Sequence, residues 1–336
     1  MVPARLSTVL LALALTLTVA LPAARAECVG ENLIDSMPEA ERRALFDAAD
    51  RVPYPRGNFW RATRGDQTIH LIGTYHLDDP RHAATMDRIS PLIDSASTVL
   101  VEAGPDEEAA LMSDLARDPS LMVQTEGPTL REALTDPEWQ LLSDAMRERG
   151  MPPFMVSKFR PWYVSMLLAL PACGLDGMEE GMGGLDGLVI ARAQENGIPL
   201  QALESHDTVF RLFAAMSLED QLAMIRSSLA LEPISADYSV TLADAYFQGE
   251  SRVIWELTRA LSLRLPGQDP AQIEADFARM EQVLMTDRNR AWIPVLVTAA
   301  EEGPVLAAFG ALHLPGDTGV LRLLEEAGFA LERLPL

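Results

Sequence analysis

Two stretches decide the fold: Ile69-His70-Leu71-Ile72-Gly73-Thr74-Tyr75-His76 and, near the C-terminus, Val305-Leu306-Ala307-Ala308-Phe309-Gly310-Ala311-Leu312-His313. Each is a short apolar run followed by Gly, two residues and His. A short, fully apolar run suits a strand covered on both faces, the usual setting of a parallel sheet. Working outward, residues 58–63 and 68–72 are β-rich and flank Arg64-Gly65-Asp66-Gln67, a hairpin signal. Beyond the first His, a helical stretch at 85–95 leads to a strand, Thr98-Val99-Leu100-Val101, closed by Glu102, giving a β-α-β order. Another strand is expected at 198–203, after a helix at about 185–196 with Leu185, Leu188, Val189 and Ala193 on one face. Gly197 is the expected cap of that helix. After the second His come a helix at 320–327, Gly328 as its cap, and a last strand at 329–334. The expected fold is α/β: a mainly parallel central sheet in a single domain over residues 27–336, with helical cap insertions at about 107–175 and 206–298.

In open parallel sheets, ligands bind beyond the carboxyl ends of the strands, so His76 and His313 are both expected on the functional rim. Gly73 and Gly310 are expected to let the backbone turn sharply there and come near a ligand. Glu102 follows four apolar strand residues and needs a hydrogen bond, a cation or a metal. Two imidazoles and a carboxylate form a plausible divalent-metal set with positions left for water and substrate. Such a centre lowers the pKa of bound water and polarises a carbonyl. A single G-x-x-H is weak, and a lone His is more often structural; the repeated strand context is what raises the pair. Of the five histidines, His70 falls inside a strand and is expected to be structural. His82 follows Arg81 in a polar loop and is expected to be solvated, though near enough to His76 to be a rim candidate. For His206, N-cap chemistry explains the residue as well as catalysis does. Glu204 ends its strand as Glu102 does. Asp186 reads either as a rim carboxylate or as a favourable charge at a helix N-terminus. Arg288-Asn289-Arg290 reads equally as a cation for an acidic site or oxyanion and as a solvated basic cluster at a helix end.

The N-terminus carries Arg5, an apolar and hydroxyl run over residues 6–21, and Ala24-Arg25-Ala26, a small-x-small cleavage site. Residues 1–26 therefore read as a cleavable signal peptide, which places the chain in the periplasm or outside the cell. Removing that segment takes away Arg5 and Arg25 and no acid, moving the formal charge from −22 to −24. Such acidity argues against a nucleic-acid partner. No later apolar stretch reaches the length of a membrane span, and the longest, 162–175, reads as a buried helix. Cys28 and Cys173 can pair in an oxidising compartment, but sequence leaves their separation open.

Together these residues resemble the TraB/GumN family, which includes the Tiki-type membrane-associated metalloproteases. The matching pieces are Leu71-Ile72-Gly73-Thr74-Tyr75-His76, Val101-Glu102-Ala103-Gly104, Gly184-Leu185-Asp186 with Leu203-Glu204, Arg288-Asn289, and Phe309-Gly310-Ala311-Leu312-His313-Leu314-Pro315-Gly316. The resemblance implies a fold similar to erythromycin esterases and haem-binding ChaN-like proteins, with both G-x-x-H histidines and Glu102 at the active site. From the Tiki branch it implies divalent-metal-dependent peptide hydrolysis. Gly104-Pro105 replaces a polar pair found in many relatives, which puts substrate contacts there in question. The expectation is a metal-dependent hydrolase of peptide or protein substrates. His76, His313 and Glu102 bind manganese, cobalt or zinc, and Arg288 joins them as a catalytic cation. The rival readings are a haem-, metal- or peptide-binding protein without activity, and a metal-free hydrolase with a His base.

Overall fold

The computed structural model describes residues 28–173, 183–214, 216–265 and 269–336. Residues 1–26, read above as a signal peptide, lie outside the described residues. The chain opens with α1 (Glu39–Ala49), then the hairpin β1 (Phe59–Arg64) and β2 (Gln67–Thr74), α2 (His82–Ser95) and β3 (Thr98–Val101). A helical stretch follows: α3 (Pro105–Arg117), α4 (Leu130–Ala133), α5 (Asp136–Glu148), α6 (Pro153–Val156) and α7 (Pro161–Ala169). Next come α8 (Gly184–Glu195) and β4 (Leu200–Ala202), then a second helical stretch. That stretch holds α9 (Thr208–Ala214), α10 (Leu218–Leu231), α11 (Ser235–Phe247), α12 (Ser251–Ser262), α13 (Pro270–Met280) and α14 (Asp287–Glu302). The chain closes with β5 (Val305–Gly310), α15 (Val320–Glu326) and β6 (Ala330–Arg333).

The sheet order is β4-β3-β5-β2-β1-β6. β2, β5, β3 and β4 pair in parallel, while β1 runs antiparallel to both β2 and β6. The fold is thus the expected α/β arrangement with a mostly parallel sheet. Alternation along the strands sorts the core into two layers. Ile69, Leu71, Val305, Ala307 and Phe309 face α14 and α15, meeting Trp292, Leu296, Val320 and Leu324. Ile72, Val99, Val101, Leu306 and Ala308 face α2 and α8, meeting Ile89, Ile93, Leu185 and Val189. Every residue of β5 is buried, which is why its sequence is unbroken by polar residues. Its larger side chains, Val305, Leu306 and Phe309, each contribute about 1.5–3 kcal/mol by leaving water.

The first helical stretch builds its own cluster, with Leu142, Met146, Val164 and Leu168 against Leu222 and Ile225 of α10. Of the stretch read as a buried helix at 162–175, only the part to Ala169 is α-helical, as α7, with Trp162, Val164 and Leu168 buried; residues 174–175 lie outside the described residues. Cys28 and Cys173 form a disulfide across a sequence separation of 145, settling what the sequence left open. Among the described residues, no helix is long and apolar enough to cross a membrane.

Candidate active site

The parallel strands share a register in which Thr74 lies beside Gly310, Val101 beside Ala308, and Ala202 beside Val101. Their carboxyl ends therefore form one edge, and the residues just past them meet there. At the end of β2, the N-terminus of α8 docks on the turn: Leu185 N–H donates to Tyr75 O at 3.0 Å and Gly184 N–H to Asp78 Oδ1 at 2.9 Å. Gly184 has φ +65°, and a Cβ there would fall 2.3 Å from Tyr75 O, so a side chain is excluded. This docking delivers Asp186. Its Oδ2 accepts from His76 Nδ1 and its Oδ1 from Thr74 Oγ1, both at 2.8 Å. With Nδ1 donating, the neutral His76 ring carries its lone pair on Nε2.

Glu102 Oε1 accepts Gly310 N–H at 2.6 Å, and its Oε2 accepts Arg288 Nη2 at 2.7 Å. Arg288 also forks onto Glu204, with Nε donating to Oε2 and Nη2 to Oε1, each at 2.8 Å. It is held between the ends of β3 and β4. Asn289 turns its amide nitrogen to Thr318 O at 2.9 Å, which aims its oxygen at His313 Nδ1, 2.6 Å away. His313 therefore donates from Nδ1, and its Nε2 lone pair accepts Arg288 Nη1 at 3.2 Å. A π-helical turn, Glu281–Thr286, joins α13 to α14 just ahead of these two residues. Such turns often mark functional sites.

Gly310 stands at the point where the groups converge. A Cβ on it would lie 3.2 Å from both Glu102 Oε1 and His76 Nε2 and 3.6 Å from His313 Cδ2. Gly310 itself has φ −48°, and Gly73 lies within β2, so neither glycine serves the sharp turn expected of it. Both serve space: a Cβ on Gly73 would lie 2.8 Å from Ala311 Cα. Gly310→Ala is expected to lower activity at least tenfold with little change in melting temperature. Equal activity in the Ala variant, measured beside a thermal melt, would contradict the convergence.

Burial pushes the Glu102 carboxyl up, but the charges of His313, Arg288 and His76 and the Gly310 N–H outweigh it and bring it to about 2. Burial pulls His313 down to about 3, against the attraction of Glu102. With His313 neutral at ordinary pH, Arg288 and His76 are the cations that hold Glu102 ionised. For His76, burial opposes and Asp186 favours the charged ring, raising it to about 9. The side chain of His76 is 63% exposed, so water screens part of that gain. The His313 shift fixes a sign. Its folded pKa lies below the unfolded 6.5, so the stability it contributes is complete above that pH and lost as pH falls toward 3. Unfolding free energy is expected to fall by up to about 1.4 kcal/mol per pH unit from this group, a slope that His313→Gln should remove in denaturant titrations.

The sequence pattern of the TraB/PrgY/gumN family matches residues 58–333. The chain belongs to that family. The protein named "Uncharacterized protein YbaP" in Escherichia coli (strain K12) is 23% identical over 264 residues, covering 77% of this chain and 89% of that protein. The YbaP protein of Shigella flexneri matches to the same extent. The TraB/PrgY/gumN match includes all the residues described at the strand ends.

His76, Glu102, His313 and Arg288 are brought together as a set, and Asp186 and Glu204 join them in direct contact. Arg290 is exposed. His70 lies in β2 opposite Arg61, as expected. His206 meets Asp114 at 2.8 Å instead of the cluster. His82 departs from the expectation of a solvated loop. Asp79 O accepts His82 N–H at 3.0 Å, so the helix begins earlier, and the ring is buried with Nε2 donating to Leu77 O. It packs against Tyr75, Tyr246 and Phe247. Tyr75 stacks on Tyr246 at 5.4 Å, and burial pushes its phenol up to about 12. Sequence reasoning missed Trp292, whose ring lies 4.4 Å from His313 and whose Nε1 donates to Glu204. Its signal was the four-residue spacing from Arg288 on one helix face.

Proposed function

We propose that this TraB/PrgY/gumN chain is an exported hydrolase of peptide bonds that works with a divalent metal held by His76, His313 and Glu102. The observation that carries the reading is the convergence of the three groups on Gly310, with both imidazole Nδ1 atoms tied to outer partners. Metal-binding histidines are ordinarily oriented in this way. The donor set fits a divalent cation in kind: two imidazole nitrogens and an ionised carboxylate oxygen. When bound, such an ion lowers the pKa of water and polarises a carbonyl. Asp186 orients His76, Asn289 orients His313, and Glu102 is held ionised, the state a metal ligand needs. Arg288, clamped by two carboxylates, offers a fixed positive charge for oxygen charge developing in the reaction. Export is part of the same reading: it rests on residues 1–26 and is consistent with the disulfide.

One observation favours a metal-free reading. Arg288 already reaches Glu102 Oε2 and His313 Nε2, and among the described residues no group of three or more His, Cys, Asp or Glu side chains has the geometry of a metal site. In that reading His76, backed by Asp186, is the base. Chelator separates the two. Hydrolysis of a peptide library is expected to stop in chelator and return with manganese, cobalt or zinc; full activity in chelator selects the metal-free hydrolase.

A further inference from the structure

A cavity of about 200 Å³ lies away from the strand-end cluster, inside the second helical stretch. It is walled by α10, α12, α13 and the π-helical turn, with Phe213, Met224, Leu231, Phe277, Met280 and Leu284 among its lining. Two of its hydroxyls are already engaged within α12. Ser262 Oγ donates to Thr258 O and Thr258 Oγ1 to Ile254 O. Asp220 and Arg279, which also line it, pair with each other at 2.5 Å and are part-exposed, giving one side a polar edge. The cavity opens to solvent past this edge, and its apolar interior compares in size with an apolar cavity of about 150 Å³ that takes benzene. A wall of methionines adapts readily to varied apolar shapes.

We propose that this cavity is a binding site for a small apolar group, an aromatic ring or short aliphatic chain, separate from the strand-end cluster. A second observation links the two. Val283 and Leu284 of the π-helical turn line the cavity, and Leu284 O accepts Arg288 Nη1 at 3.3 Å. The turn that faces the apolar ligand also seats the arginine of the polar centre. A ligand with an apolar group and a hydrolysable polar part is the class that such a pairing suits. The binding site itself does not depend on the centre being a hydrolase.

The test is toluene titration of the full chain with 13C-labelled methionine methyls. Met216, Met224 and Met280 line the cavity, whereas Met112, Met155 and Met166 are exposed reporters of surface adsorption. Saturable shifts confined to the first three are expected. Ala223→Leu with Ser227→Leu, which fills the cavity from α10, should weaken binding at least tenfold; Ser262→Leu does the same from α12 should the α10 pair misfold. Non-saturating shifts, or equal shifts at the exposed methionines, would overturn the proposal. Toluene binding needs neither metal nor turnover, so failure of the hydrolase reading leaves this result untouched.

Discussion

Arg288→Ala is expected to destabilise the chain by about 3–5 kcal/mol, the usual consequence of removing one partner from a buried ion pair. The arginine side chain is 15% exposed, and the carboxylates it leaves behind, Glu102 and Glu204, are 20% and 13% exposed. Both would lose the cation that compensates them. Arg288→Lys should recover part of the loss, since it restores charge but not the fork that spans two carboxylates. The pH dependence carries its own sign. Glu102 has a folded pKa of about 2 against 4.5 unfolded, so its stabilisation is present above 4.5 and disappears as pH falls toward 2. The gap between the parent and Arg288→Ala should therefore narrow on acidification. Urea unfolding at several pH values reads this directly, and a gap that is small at neutral pH would show that Arg288 does not hold the strand ends together.

His76→Ala and His313→Gln are each expected to lower hydrolysis by on the order of 10²–10⁴-fold, the range for losing a positioned acid–base or ligand group. Their effects on stability should differ. His76 is largely exposed, so its removal leaves the fold intact. His313 is buried against Trp292, and truncation to Ala would add a cavity cost of about 3 kcal/mol; Gln keeps most of the volume and isolates the chemical effect. Full turnover in both variants, with folding verified by circular dichroism, would remove the two histidines from the mechanism.

The strands were legible because β5 and the end of β2 are buried on both faces, and burial writes itself as apolar runs; their order across the sheet was not read. The rim followed from topology: a carboxylate or G-x-x-H placed directly after such a run has to emerge at the sheet edge. The outer partners were harder to read. Arg288 near a helix junction had a local explanation of equal weight, and for Asp186 at a helix start the local explanation was the favoured one. Only the docking of Gly184 on Tyr75 and the π-helical turn before α14 decide between them, and both are tertiary events. His82 was misplaced for a similar reason, since Asp79-Pro80-Arg81 looks like a polar loop until the helix that it starts is packed against Tyr246. Trp292 was hidden among core residues of a helix that covers the sheet.

The central claim is that His76, His313 and Glu102 form one metal-holding centre. Elemental analysis of the protein, purified without chelator or metal-affinity resin, tests it most directly beside the His76→Ala/His313→Ala double variant. About one divalent ion per chain in the parent and none in a folded double variant is the expected result. No ion in either, even after soaking with manganese, cobalt and zinc, would contradict the metal centre and leave the Arg288-bridged cluster to work without one.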